Sequence, residues 1–213
     1  MSEALTVVVF GGSGLTGRSV IDGAIQRGFR VVAFTRDASR FPVNDPHLEV
    51  IEGSATSGDD VLRALKGADA VIHCLGIGGK GDGAPTSFVS DSVRVVLGQM
   101  KKARVQRIVC MSNVGAGGSG NWLYRLVVLP LFLRWLRPII ADKDVMELAL
   151  RESSIEWVSV RFPNIVPGPL RPVRASADGT GIGISITATS AAGFLVSQLS
   201  DSQWLRQTPS VSN

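Results

Sequence analysis

Residues 7–28 read "VVVFGGSGLTGRSVIDGAIQRG", and the fold follows from them. Val7–Phe10 is a short apolar run of strand-forming residues. Glycines follow at 11, 14 and 17, and then Val20, Ile21, Ala24 and Ile25 recur at helical spacing up to Gly28, a helix-ending glycine. A strand, a turn with glycines every third residue and a helix make up the arrangement that receives a dinucleotide pyrophosphate. The first glycine allows the tight turn, the second lets backbone approach the phosphates, and the third lets helix and strand pack closely. The free N–H groups of the helix then face the phosphate charge, and Ser13 and Thr16 add hydroxyl donors.

Outward from this stretch, short β-branched runs alternate with helical patterns, as in βαβ units around a parallel sheet. Strands are predicted at Thr6–Phe10, Arg30–Phe34, Leu48–Glu52, Ala70–Leu75, Arg107–Met111 and Glu156–Arg161. Helices are predicted around Val61–Leu65, Val89–Met100, Asp142–Glu152 (with Val145, Leu148 and Ala149 inward) and Ser190–Leu199. The closing "TPSVSN" is predicted as an edge strand. Residues 1–213 are thus expected to form one domain, an α/β Rossmann-type doubly wound parallel sheet.

The end of the second strand says which dinucleotide. An NAD site keeps an acid there for the adenosine ribose. Here "VVAFTRDASR" supplies Arg36 and, four residues on, Arg40. Guanidinium groups pair with a 2′-phosphate that an acid would repel, so the pattern points to NADP; a solvated Arg36–Asp37 ion pair is the structural alternative.

Composition narrows the remaining classes. With hydrophobic residues at 45% and charged ones at 19%, the chain can bury a core, and disorder is not expected. Two cysteines and two histidines, scattered, give no metal-ligand spacing. Cys74 and Cys110 read as buried free thiols of a reducing compartment. The net charge of +4 is dispersed, unlike the basic faces of nucleic-acid binders. The start "MSEALTVVVF" has an acid where a signal peptide has basic residues, so a cytoplasmic protein is expected. The most apolar stretch, 122–136, is too short for a bilayer and is interrupted by Arg125, Pro130 and Arg134. It is expected to cover a pocket or form a dimer contact; surface attachment to a membrane is the other reading. A small-molecule substrate and a monomer or homodimer are expected.

"VVFGGSGLTGR", "FTRDASR", "GADAVIHCLG", "RIVCMSN", "ADKDVMELALRESSIEWVSVRFPNI" and "TPSVSN", in this order, resemble the NAD(P)H-binding atypical short-chain dehydrogenases, nearest the biliverdin reductase B (flavin reductase) type, with NmrA-like proteins as wider relatives. The resemblance implies that Gly11, Ser13, Gly14, Leu15, Thr16 and Gly17 hold the pyrophosphate and that Arg36 and Arg40 hold the 2′-phosphate. It implies Ser54 and Ala55 at the adenine and Leu75 and Gly76 beside ribose and phosphates. Ser112, Pro163, Asn164 and Ile165 would frame the nicotinamide. The family often has aspartate where Ser54 stands. The flavin reductases have Thr-Ser at Ser112–Asn113 and histidine at Asn164, which speaks against biliverdin itself as substrate.

Tyr124 is the sole tyrosine, and Val128, four residues later, is not lysine, so the Tyr-x-x-x-Lys pair of short-chain dehydrogenases is absent there. Reducing a simple ketone makes an alkoxide whose conjugate acid has a pKa near that of water, about 16. A flavin, quinone, tetrapyrrole or aromatic polyketide-like acceptor instead spreads the charge over rings and needs chiefly a flat apolar pocket with a few donors. Ser112, Asn113 and Tyr124 are the candidate catalytic groups. Trp122, Tyr124, Phe162 and Asn164 are candidate substrate contacts, in a pocket built from segments 76–90, 112–140 and 162–185. His73 reads as a strand residue with a satisfied hydrogen bond rather than a base. The expected function is an NADPH-dependent reductase of a conjugated acceptor. The alternatives are a non-catalytic NADP-sensing regulator and an isomerase or cyclase on the same fold.

Overall fold

The structure, a computed structural model, describes residues 4–41, 45–77, 83–119 and 134–213. Its elements in chain order are β1 (Thr6–Phe10), α1 (Leu15–Gln26), β2 (Arg30–Thr35), β3 (Leu48–Glu52), α2 (Gly58–Ala64), β4 (Ala70–His73), α3 (Phe88–Ala103) and β5 (Arg107–Gly117). They continue with α4 (Arg137–Glu152), β6 (Glu156–Phe162), β7 (Asn164–Val166), β8 (Arg174–Ser176), β9 (Ser185–Thr187), α5 (Ala188–Ser197) and β10 (Ser210–Ser212).

Eight strands form the main sheet in the order β3-β2-β1-β4-β5-β6-β10-β8, parallel except for the β10–β8 pair. The chain leaves β1 in one direction toward β3 and in the other through β4, so the order reverses beside β1. That is the switch point where doubly wound folds bind ligands, outside the carboxyl ends of the strands. Strand periodicity sorts the core into two layers. Val7 and Val9 point to the layer closed by Val20, Ile21 and Ala24 of α1 and Ala191, Leu195 and Val196 of α5. Val8 and Phe10 point to the opposite layer, closed by Val61 of α2, Val93 and Val96 of α3, and Met146 and Leu150 of α4. Helix α1 stops where the sequence says: Gly28 has φ +80°, its N–H donates to Ile25 O, and the N–H of Phe29 reaches back to Ala24 O, which satisfies the last carbonyls.

Three expectations are corrected. The closing strand β10 is not at the edge: it lies between β6 and the outermost β8. Strand β5 runs six residues beyond the predicted Met111, to Gly117, because its pairing with β6 continues through Asn113↔Phe162. Helix α4 faces differently at two of the three positions expected inward, Ala149 alone packing against the core. Val145 and Leu148, expected inward, are 37% and 50% exposed, while Asp142, Lys143, Met146, Glu147 and Leu150 are buried. Buried charges held by partners occupy positions that an apolar pattern assigns to solvent.

Candidate cofactor and reaction site

The glycine turn closes the nucleotide end of the site. Gly11 follows β1 at φ +83°, a left-handed conformation, and a Cβ there would sit 2.8 Å from the carbonyl carbon of Cys74. Gly17 lies against Gly11 O, where any Cβ would collide, so this glycine is what lets α1 approach β1. Gly14 differs: a Cβ on it would meet only Gly11 O, at 3.5 Å. Its exposed side is open to a ligand. It caps α1 without a side-chain hydrogen bond, and the first turn carries no acid. Backbone donors at the start of α1 are therefore free to meet anionic oxygen. Of the predicted contacts, Leu15 is exposed, Ser13 is half-buried and Thr16 is 6% exposed.

Beyond β2, a cleft of about 370 Å³ is lined by Arg36, Glu52, Gly53, Ser54 and Asp60. Each of its carboxylates is occupied. Asp60 Oδ2 accepts the Ser54 N–H at 3.0 Å, and its Oδ1 lies 3.0 Å from Arg63 Nη2. Glu52 Oε2 accepts the Ala38 N–H at 2.9 Å. Asp37 faces Arg40, 3.7 Å away and exposed, rather than Arg36. Among the described residues Arg36 forms no ion pair, leaving its guanidinium for a ligand. The hydrogen bond from Ser39 and the charge of Arg40 hold the Asp37 carboxyl below its ordinary value. Ala55 is buried at 7% beside the exposed Ser54.

Just past β4 and within β5, the structure brings in a residue that sequence reasoning did not assign to the site. Lys143 of α4 is 2% exposed, and its Nζ donates to Leu75 O at 3.2 Å and Met111 O at 2.7 Å. Its pKa falls to about 8, because burial disfavours the ammonium more than the surrounding groups favour it. The residue four before it is Ile139, so no tyrosine stands at the Tyr-x-x-x-Lys spacing from this lysine. Next to it, the Asp142 carboxylate accepts the N–H groups of Val89 and Ser90, both at 2.9 Å, and ties α4 to the first turn of α3. One helical turn on, Glu147 is fully buried. It receives Ser112 Oγ at 2.9 Å and Arg161 through Nε at 3.0 Å and Nη2 at 2.5 Å, with Arg151 Nη2 at 3.2 Å. The only sequence signal for this cluster is the one-sided spacing of Lys143 and Glu147, four residues apart on α4.

The other predicted residues divide. Leu75 and Gly76 follow β4, Ser112 and Asn113 lie within β5 where it pairs with the end of β6, and Pro163, Asn164 and Ile165 follow β6, the last two in β7. Ser112 is 1% exposed, with its hydroxyl proton directed to Glu147. Phe162, expected as a pocket wall, is 1% exposed and packs into the core with Val160 and Leu195. His73 is fully buried, with Nε2 3.0 Å from Ser92 Oγ, and burial lowers its pKa to about 3. It is a neutral strand residue. Cys74 and Cys110 are buried free thiols. Trp122 and Tyr124 lie outside the described residues. Among the described residues, no helix is long and apolar enough to cross a membrane.

A family model described as NAD(P)H-binding matches residues 11–202. The chain is 37% identical over 71 residues to a 3-beta-hydroxysteroid dehydrogenase of Mycolicibacterium neoaurum, a match covering 33% of this chain and 19% of that protein. The chain thus spans about a fifth of the first curated relatives it matches. Among solved structures, an anaerobillin reductase from Escherichia coli superposes with a TM-score of 0.80 at 17% identity, covering 97% of this chain and 96% of that one. A wide-type short-chain dehydrogenase/reductase from Veillonella parvula, in complex with NADP, gives 0.78 at 14% identity, over 99% and 95% of the two chains. At such identities these structures speak for the shared fold alone, a mostly parallel doubly wound sheet.

Proposed function

Because the chain belongs to the NAD(P)H-binding family, we propose that it is an NADPH-dependent oxidoreductase that reduces a flat conjugated acceptor such as a flavin, quinone or tetrapyrrole. The observation that carries the choice of NADPH is Arg36, a guanidinium past the end of β2 without an ion pair among the described residues. It borders a cleft whose carboxylates are all engaged. The open face of Gly14 and the uncapped start of α1 suit a pyrophosphate. Ser54 and Ala55 suit the adenine, Leu75 and Gly76 the ribose. Bound in this way, NADPH supplies a hydride at its nicotinamide ring.

The acceptor class follows from the pairing of Lys143 with Ile139. Lys143 keeps an ammonium on the carbonyls of Leu75 and Met111, where it favours negative charge, but Ile139 and not a tyrosine stands four residues before it. Ser112 is held by Glu147 as a donor, so toward a ligand its oxygen acts as an acceptor. Such a site suits charge delocalised over rings, with the proton completed from solvent. Asn113 and Asn164 supply further polar contacts; of the expected pocket segments, residues 78–82 and 120–133 lie outside the described residues.

Two measurements test the reading. Arg36→Ala weakens NADPH binding by about 30-fold, the loss of a charge-assisted phosphate contact, and leaves NADH binding unchanged; equal losses for both overturn the phosphate assignment. In an acceptor screen, NADPH oxidation rises with flavins or quinones and not with simple ketones. Tight NADPH binding without turnover on any acceptor leads instead to the sensing role.

A further inference from the structure

Resting on this reading of the cleft beyond β2 as the seat of the adenine nucleotide, we propose that Ser54 and Thr56 make the site indifferent to the six-substituent of the purine, so that a hypoxanthine dinucleotide phosphate is accepted on nearly equal terms with the adenine form. Space comes first. Gly53 opens the cleft floor: a Cβ there would lie 2.8 Å from Phe34 Cζ and 2.9 Å from Asp60 Cβ, so this position has no side chain to offer the base. The first side chain available is that of Ser54, exposed on the cleft.

Chemistry decides what Ser54 can read. Its Oγ is 2.9 Å from Thr56 Oγ1, and either hydroxyl can be the donor. With the Ser54 proton on Thr56, the serine oxygen presents lone pairs and accepts from an amino group such as adenine N6. With the Thr56 proton on Ser54, the serine O–H is released and donates to a carbonyl such as hypoxanthine O6. A hydroxyl pair changes between these states by rotating two O–H bonds, so the six-substituent of either base finds a partner. A carboxylate offers no such choice, because it only accepts and therefore selects the amino group.

The two carboxylates of the cleft already hold donors of the protein. Asp60 Oδ2 is bound by the Ser54 N–H at 3.0 Å and Oδ1 by Arg63 at 3.0 Å, and Arg63 is itself anchored on Glu52 O at 2.7 Å. The hydrogen bond from Ser54 N–H and the Arg63 charge keep the Asp60 carboxyl below its ordinary pKa, so it stays ionised and committed to these donors. Glu52 accepts the Ala38 N–H through Oε2. The cleft thus reads the phosphate through Arg36 and leaves the base edge to a reversible hydroxyl pair.

The test is a pair of titrations on the intact protein, following the fluorescence of reduced nicotinamide on binding. The probes are NADPH and its deaminated analogue, reduced nicotinamide hypoxanthine dinucleotide phosphate. The expected ratio of dissociation constants in the wild type is within about three-fold. In Ser54→Asp it rises to about ten-fold or more in favour of the adenine form, the cost of an acceptor facing an acceptor. Ser54→Ala weakens both forms alike and keeps the ratio near the wild-type value. A wild-type preference for adenine of about ten-fold or more overturns the inference, as does an unchanged ratio in Ser54→Asp. If NADPH binds and the analogue does not, the inference alone falls. If neither binds, the dinucleotide reading falls and takes it along.

Discussion

The two sides of the sheet are built on different physics. From β1 to β3, the chain is held by apolar side chains and by glycines that permit close backbone contact; its charges stay at the rim, as in Asp37–Arg40 and Asp60–Arg63. From β5 to β6, the layer under α4 contains Lys143, Glu147, Arg161 and Asp142, all buried and all bonded. On the proposed function, the first side is the platform for the dinucleotide. The second fixes polar groups where charge has to be met. The price of such groups is exposure to single losses, because removing one partner leaves another charge buried and unpaired.

That asymmetry gives the largest expected effect. Glu147→Ala leaves Arg161 without its carboxylate at 6% exposure, and also frees Ser112 and Arg151. The expected loss is about 4 kcal/mol of stability in urea denaturation. Ser112 loses its anchor at the same time, so activity per folded molecule drops too. A loss below about 1 kcal/mol breaks the contrast between the two sides. On the nucleotide side, Gly17→Ala forces α1 away from Gly11 O. It is expected to cost about 2 kcal/mol, an overpacking penalty, with NADPH binding reduced further than stability.

This contrast also explains what could be read beforehand. The strand–glycine–helix opening was legible because Gly11, Gly14 and Gly17 occupy positions whose requirements are local: a turn, an approach and a close packing. Arg36 was legible as well, since its place at the strand end does not depend on distant residues. Lys143 was not. It reaches carbonyls 68 and 32 positions back in the chain, and nothing in its neighbourhood announces those partners. Phe162 misled for the opposite reason: an aromatic at a strand end suggests a pocket wall, but its strand parity turns it into the core beside Leu195. The short strands β7, β8 and β9 have only three residues each, too few for a period to show.

The buried titratable groups set a pH profile of moderate size. His73 is kept neutral by burial, its pKa lowered from 6.5 to about 3, so below pH 6.5 the unfolded chain takes up a proton that the folded one refuses. Stability therefore falls as the pH drops from 6.5 toward 3. Lys143, lowered from 10.5 to about 8, gives up its proton in the folded state while the unfolded chain still keeps it, so stability climbs above pH 8. The thiols of Cys74 and Cys110 are pushed up by burial from 9.0, Cys74 to about 12. Above pH 9 the unfolded chain releases protons that both folded thiols retain, and two thiols outweigh one lysine. The expected Tm maximum lies near pH 9, with a rise of about 1 kcal/mol from pH 8. In Lys143→Met that rise disappears; if it persists, the lysine is not the buried group that titrates.

The smallest expected effect sharpens the comparison most economically. Of the residues of α4 assigned to the core by periodicity, Ala149 packs there, yet Leu148 and Val145 stand 50% and 37% exposed while Met146 and Leu150 are buried. Leu148→Lys is expected to change stability by less than about 0.5 kcal/mol, as at an exposed helix position. Leu150→Ala, two residues on, is expected to cost about 3 kcal/mol through the cavity it leaves against Val105 and Ile155. The two substitutions act on the same helix, so propensity differences nearly cancel and the gap between them measures facing alone. A cost for Leu148→Lys close to that of Leu150→Ala would mean that α4 is turned by about half a turn, and Lys143 and Glu147 would then leave the sheet for solvent. The position of the buried charges and the exposure of Leu148 are one fact about the helix, and a single pair of denaturation curves decides both.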